Sequence, residues 1–444
     1  MDLENRNELP NSLEEHWMPF TSNHDFKDNP RLMVKAEGVY YTDHHGNQLI
    51  DASSGLFCSP AGHGRKEIRD AVYKQLEQLD YVQPFQQGYN GSFELARKIS
   101  KHTPDDLNKI FFTMCGSSAV DTAIKTAIAY FKAKGEGHRH HIVGRERGYH
   151  GMNIGGISVG GMVANRKTFS SILMPNTHHL RHTHLSENTF VKGEPDTGAY
   201  LADDLERIAG HIGGENIAAC IVEPVAGSTG TLVPPKGYLQ KLRQICDKHG
   251  ILLIFDEVIT GWGRMGEAFG AQAFGVTPDI LTMAKAITNG VVPLGAVASR
   301  EHIYDTMVDA APNGAIEFFH GYTYSGHPMA CAAALGTLDT YEEEGLLTRA
   351  SELADYWENS IHSLKDHPHV IDIRNIGLVG AIELQGIPGE PTKRAMNAMQ
   401  TAFEKGLLIR TTGDIIALSP PLIIEKSEID QIFDTVSSIL KDLD

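Results

Sequence analysis

Ile251-Leu252-Leu253-Ile254-Phe255-Asp256-Glu257 is an apolar run that ends on two carboxylates. A second run, Ile280-Leu281-Thr282-Met283-Ala284, ends on Lys285, and a third, Ile217–Val222, ends on Glu223-Pro224. Short continuous apolar runs of this kind read as strands buried on both faces, the pattern of a parallel sheet. Each delivers an ionisable residue at or near its carboxyl end. In open α/β sheets, ligands bind along that edge.

Outward from these runs, strand and helix alternate. Residues 109–114 read as a strand leading into Cys115-Gly116-Ser117-Ser118, and 119–132 as a helix rich in Ala and Ile. Ile142-Val143-Gly144 is another strand, and 238–248 a helix between the Glu223 and Asp256 strands. This rhythm predicts a mostly parallel sheet with helices on both faces. Residues 1–70 look irregular, apart from two short strands around a turn, Val39-Tyr40-Tyr41-Thr42-Asp43 and Gly46-Asn47-Gln48-Leu49-Ile50-Asp51. Residues 66–79 have helical spacing, with Ile68, Val72, Leu76 and Leu79 on one stripe. After Gly326-His327-Pro328 the pattern changes to helices at 330–344 and 350–364, strands at 371–374 and 378–383, and helices at 392–405 and 427–440. The expected division is an N-terminal segment (1–70) packing with the small domain, a large domain (71–328) and a small α+β domain (329–444).

The chain has 444 residues, enough for two or three domains. With 56 acidic against 39 basic residues its formal charge is -17, and it has no basic run, so nucleic acid is not an expected partner. No stretch of about 18 apolar residues exists to span a membrane. The acidic, polar start Met1-Asp2-Leu3-Glu4-Asn5 does not read as a secretory leader. The 5 cysteines have no C-x-x-C spacing and read as free thiols in a cytoplasmic protein. His178-His179-Leu180-Arg181-His182-Thr183-His184 has metal-like spacing, but no partner acid or cysteine stands at a fitting distance, so it reads as a polar loop and no metal is expected.

An amine at the end of a buried strand, with a carboxylate on the neighbouring strand end, suits a coenzyme held through a Schiff base. Pyridoxal phosphate asks for a lysine amine, an acid against its pyridine nitrogen, a phosphate cradle and a flat cover for its ring. Lys285 offers the amine and Asp256 the acid. Gly116-Ser117-Ser118 closes a strand and opens a helix, where backbone N–H groups and the helix dipole favour an anion. Tyr149, in Tyr149-His150-Gly151, offers the cover. Taken singly, each has a plainer reading: a surface lysine, a helix-capping aspartate or serine, a packed tyrosine. Trp17, Phe20, Phe57 and Phe85 are candidates for lining a substrate pocket, and equally for the core.

These residues also carry a resemblance. Ile254-Phe255-Asp256-Glu257-Val258-Ile259-Thr260-Gly261-Trp262-Gly263-Arg264-Met265-Gly266, then Pro278-Asp279-Ile280 and Ala284-Lys285, resembles the signature of class III (omega) aminotransferases. His16-Trp17-Met18-Pro19-Phe20, the run from Gly144 to Gly151, Val233-Pro234-Pro235-Lys236-Gly237-Tyr238-Leu239 and Gly321-Tyr322-Thr323-Tyr324-Ser325-Gly326-His327-Pro328 are similar to the beta-alanine:pyruvate branch. The resemblance implies fold-type I: a large domain with a mostly parallel seven-stranded sheet, and a smaller α+β domain. It implies a homodimer, with tetramers left open, and an active site at the subunit interface. It implies Lys285 bonded to the coenzyme, Asp256 on the pyridine nitrogen, and Gly116 and Ser117 on the phosphate. Thr323 would reach across from the second subunit. Tyr149 and Val258 would cover the two ring faces, and Glu223 would sit beside the phenolic oxygen. Arg410 would grip a substrate carboxylate, which suits its two-pronged donor.

Two departures stand out. Relatives commonly read Asn-Ser-Gly-Ser-Glu-Ala where this chain has Met114-Cys115-Gly116-Ser117-Ser118-Ala119, and often carry Trp where Phe57 stands. The expected activity is a ping-pong transfer of an amino group from an omega-amino acid or primary amine to a keto acid, with pyruvate the expected acceptor. An aminomutase or racemase using the same Lys285 and Asp256 is the alternative, and a non-enzymatic coenzyme-binding protein a remoter one.

Overall fold

The structure is a computed structural model that describes residues 12–443; the Met1–Asn5 stretch lies outside them. Three short strands come first: β1 (Met33–Glu37), β2 (Tyr40–Asp43) and β3 (Gln48–Asp51). The central sheet has seven strands: β4 (Lys109–Thr113), β5 (His141–Arg145), β6 (Thr177–Leu180), β7 (Ile217–Val222), β8 (Leu252–Asp256), β9 (Ile280–Met283) and β10 (Gly295–Ser299). Their spatial order is 4-10-9-8-7-5-6. Only β10 runs against its neighbours; β9, β8, β7, β5 and β6 pair in parallel.

Side chains of the three apolar runs alternate between two cores. Cys220, Val222, Leu253, Phe255, Leu281 and Met283 join one, which takes in the helix Tyr238–His249 through Tyr238, Leu242 and Ile245. Ala219, Ile221, Leu252, Ile254 and Ile280 join the other, beneath the helix Gly116–Ala133. Burial on both faces is why these strands read as unbroken apolar runs. Strand β10 is Gly-Ala-Val-Ala-Ser, too small and too polar at its ends to announce itself in the sequence.

β11 (Val370–Ile376), β12 (Val379–Leu384), β13 (Leu407–Leu408), β14 (Arg410–Thr412) and β15 (Ile415–Leu418) complete the strands. Four form an antiparallel sheet in the order 11-12-15-14. The fifth, β13, pairs in parallel with β3, which ties the early hairpin to the end of the chain.

The histidine-rich stretch needs correction. Residues 177–180 form the edge strand β6, because Thr177 to Leu180 pair with Ile142 to Arg145. The acids missing from the sequence neighbourhood of His184 arrive from β11 and β12: Asp372 at 3.9 Å and Glu383 at 4.0 Å. Arg374 already engages both carboxylates, and its bond to Glu383 is 2.6 Å.

Candidate active site

The carboxyl ends of β7, β8 and β9 open into one cavity of about 330 Å³. Its lining includes Gly116, Ser117, Tyr149, Glu223, Asp256, Val258 and Lys285, residues far apart in sequence. Lys285 follows β9 in a left-handed conformation, with φ 51°. It is accessible only in part, and burial holds its ammonium down from 10.5 to about 8; the charge of Arg410 acts in the same direction, against Cys58, Asp256 and Glu223. A lysine so placed gives up its proton far more readily than one in water.

Asp256 is 4% exposed, and its carboxylate is fully engaged. Oδ1 accepts from the Val258 backbone N–H at 3.1 Å and from Thr282 Oγ1 at 3.1 Å. Oδ2 meets His150 Nδ1 at 2.8 Å. Burial alone would discharge His150, but the bond to Asp256 and the charge of Glu223 outweigh it and raise its pKa. His150 lay in the Tyr149-His150-Gly151 motif without a role; only the fold shows that it reaches Asp256. Glu223 is held up by burial, with His150 and Arg145 opposing. Its Oε1 accepts from the Tyr149 backbone N–H at 3.1 Å, while Oε2 makes no hydrogen bond and lies 3.6 Å from Arg145 Nη2. A buried carboxyl oxygen with no hydrogen bond on the cavity wall leaves room for a polar ligand.

The helix Gly116–Ala133 begins at the cavity, three residues earlier than the sequence suggested. Its first N–H groups have no partner within the helix. Ser118, where relatives differ, closes the turn: its Oγ accepts from Met114 and Cys115 N–H at 3.1 and 3.0 Å. Ser117 Oγ accepts from Met152 N–H at 3.1 Å. A side chain at Gly116 would put its Cβ 3.0 Å from Val258 Cγ1, so glycine is required there for close approach.

Residues 54–57 form a turn with φ values of 47°, 54°, 70° and 65°, a left-handed winding closed by Phe57 N–H to Ser53 O at 2.7 Å. Ser54, Leu56 and Phe57 each take a conformation that costs a non-glycine residue roughly 1–2 kcal/mol. The turn sets the Phe57 ring 5.3 Å from Lys285 Nζ and 5.7 Å from Arg410 Cζ. Arg410 opens β14, and burial lowers its pKa. It makes no ion pair among the described residues; the acid four residues on, Asp414, accepts from Thr392 N–H at 3.2 Å.

Phe57 and Arg410 stand beside the cavity rather than in its lining, and four further sequence candidates lie well away from it. Trp17, Phe20 and Phe85 are 89%, 77% and 54% exposed. Thr323 is exposed, and its carbonyl accepts from Tyr81 OH at 3.0 Å.

The Aminotransferase class-III family matches residues 21–440. This chain therefore belongs to the class III aminotransferases, enzymes that carry pyridoxal phosphate. Over 98% of its length it is 55% identical to the omega-aminotransferase of Caulobacter vibrioides, covering 99% of that protein. It is 47% identical to the beta-alanine--pyruvate aminotransferase of Pseudomonas aeruginosa, over 97% of this chain and 96% of that one. Among solved structures it is similar to an (S)-enantioselective omega-transaminase from Thermomicrobium roseum, with a TM-score of 0.90, 35% identity and 96% of each chain covered.

The cavity fits that coenzyme on its own observations: a lysine with a lowered pKa, an engaged carboxylate, a helix start and a buried carboxyl oxygen without a hydrogen bond surround one space. The lowered pKa of Lys285 has a kinetic consequence. In coenzyme-free protein, capture of pyridoxal phosphate should speed up with pH and level off above about 8. Stopped-flow absorbance checks this; a midpoint near 10.5, as for an ordinary lysine, would count against it.

Proposed function

We propose that the chain moves an amino group from an omega-amino acid or primary amine to pyruvate. The observation that supports this most is the meeting of Lys285, Asp256 and the helix start at Gly116 around one cavity, with Arg410 beyond Phe57. When bound, pyridoxal phosphate supplies an electron sink for the substrate carbon that loses its proton. Lys285 would be the attachment point, and its Nζ would carry the proton from the substrate carbon. Asp256 would face the pyridine nitrogen, and His150 orients it through the 2.8 Å contact to Oδ2. Gly116 and Ser117 would take the phosphate, Tyr149 and Val258 would cover the ring, and Glu223 would sit beside the phenolic oxygen. The roles fall to residues whose atoms already converge.

Arg410 binds the keto-acid carboxylate. Arg410→Ala should raise KM for pyruvate about 10- to 100-fold, the worth of a hydrogen-bonded charge. An amine donor lacking a carboxylate should be nearly unaffected in the first half-reaction. Equal losses for both would refute the assignment.

The working unit is a homodimer in which Thr323 of one subunit reaches the other's phosphate, and Trp17, Phe20 and Phe85 complete the pocket across the interface. Their exposure supports this, as does a neighbouring groove with Ile316 and Phe319 exposed at 52% and 88%. The units are 1–70, 71–328 and 329–444. No described helix is long and apolar enough to cross a membrane, and the free cysteines suit the cytoplasm. A donor panel with pyruvate and 2-oxoglutarate as separate acceptors tests the function. Parallel double-reciprocal lines are expected; full turnover without a keto acid would favour the mutase or racemase.

A further inference from the structure

The left-handed turn at 54–57 is gripped from outside the pocket. On one side stands Asp51, 0% exposed. Its Oδ1 accepts from Ser53 N–H and Ser53 Oγ, both at 3.0 Å, and its Oδ2 from Gly55 N–H at 2.7 Å. His63 Nε2 lies 2.8 Å from the same Oδ2. On the other side stands Arg264, 1% exposed and without an ion pair among the described residues. Its Nη2 donates to Ser54 Oγ at 3.1 Å and its Nη1 to Pro420 O at 2.5 Å. Ser54 Oγ itself donates to Ser419 O at 2.8 Å. The chain just beyond the turn is tied to the Lys285 segment, since Asn289 accepts from Ala61 N–H at 2.9 Å and donates to Gly62 O at 2.7 Å. Strained backbone persists only where its surroundings over-determine it. Here the surroundings are one carboxylate and one guanidinium, and the payload is the Phe57 ring.

We propose that Asp51 and Arg264 are positioning residues for donor selection: they hold 54–57 left-handed, so that the Phe57 ring faces Lys285 and Arg410 and limits the amine that fits. This deepens, and rests on, the transaminase reading. Neither residue touches the cavity. Phe57 does the excluding; the pair outside decides where it stands. Released from Asp51, Gly55 N–H and Ser53 N–H lose their acceptor, and Ser54, Leu56 and Phe57 relax toward ordinary conformations.

The test uses Asp51→Asn, Phe57→Ala and the double variant as holoenzymes. One readout is the ratio of kcat/KM for 1-phenylethylamine to that for beta-alanine, with pyruvate as acceptor. The other is amide hydrogen exchange of the peptide covering 53–59. Asp51→Asn should change the ratio about tenfold, mainly through KM, as pocket shape does. It should speed exchange at 53–59 about tenfold, with β7 to β9 unchanged. In the Phe57→Ala background the substitution should no longer move the ratio, because the ring it positions is gone. An equal change in both backgrounds, or unaltered exchange at 53–59, overturns the proposal. Should Asp51→Asn fail to fold, Arg264→Lys carries the same readouts. Absence of turnover with either amine in the unsubstituted enzyme would sink the transaminase reading instead, and the exchange measurement would still decide the clamp.

Discussion

Lys285→Ala should lower kcat by about 10⁴-fold, the upper range for loss of a positioned general base, and remove the visible absorbance band of the holoenzyme. The effect is large because Lys285 has two tasks on one atom. Its Nζ is the nucleophile that carries the coenzyme, and burial brings its pKa down to about 8, so that the amine is available near neutral pH. Among the described residues lining the cavity it is the only lysine, so no neighbouring ammonium takes its place. Arginine cannot substitute, since a guanidinium stays charged. Titration of the variant with pyridoxal phosphate, followed by borohydride reduction and peptide mass mapping, should find no label on the 285 peptide. Turnover within tenfold of the parent would contradict the assignment.

Asp256→Ala should lower kcat on the order of 10³-fold, as loss of a preorganised electrostatic partner does. It should also weaken the coenzyme-free fold. The carboxylate removed is the acceptor for His150, Thr282 and the Val258 backbone at once. With it gone, the largest influence raising the His150 pKa is lost and burial pulls it down. A buried ion pair broken on one side costs about 3–5 kcal/mol, which a urea midpoint would register. Asp256→Glu separates the two effects. The charge returns but the bonds do not fit, so stability should recover less than the spectrum of the protonated coenzyme. A variant with unchanged kcat would show that the carboxylate does not serve the reaction.

The aminotransferase fold was largely legible because its main signals are local. Runs buried on both faces, ending in Glu223, Asp256 and Lys285, mark a parallel sheet and its ligand edge without reference to the rest of the chain. Strand β10 escaped because Gly295 to Ser299 is short-chained and lies between two strands that hide it. Strand β6 escaped because an edge strand half in solvent keeps polar residues such as His178. The role of His150 escaped because its partner comes from another strand.

By itself the sequence determined which residue types stand at the strand ends, and hence the class of chemistry, since apolar period and terminal charge are properties of neighbouring residues. Only the tertiary structure decided which of those ends meet, that His150 charges against Asp256, and that Phe57 turns toward Lys285. The physical reason is that pairing follows strand order and loop closure, while left-handed backbone at 54–57 runs against local preference and survives only through Asp51 and Arg264 brought in from elsewhere.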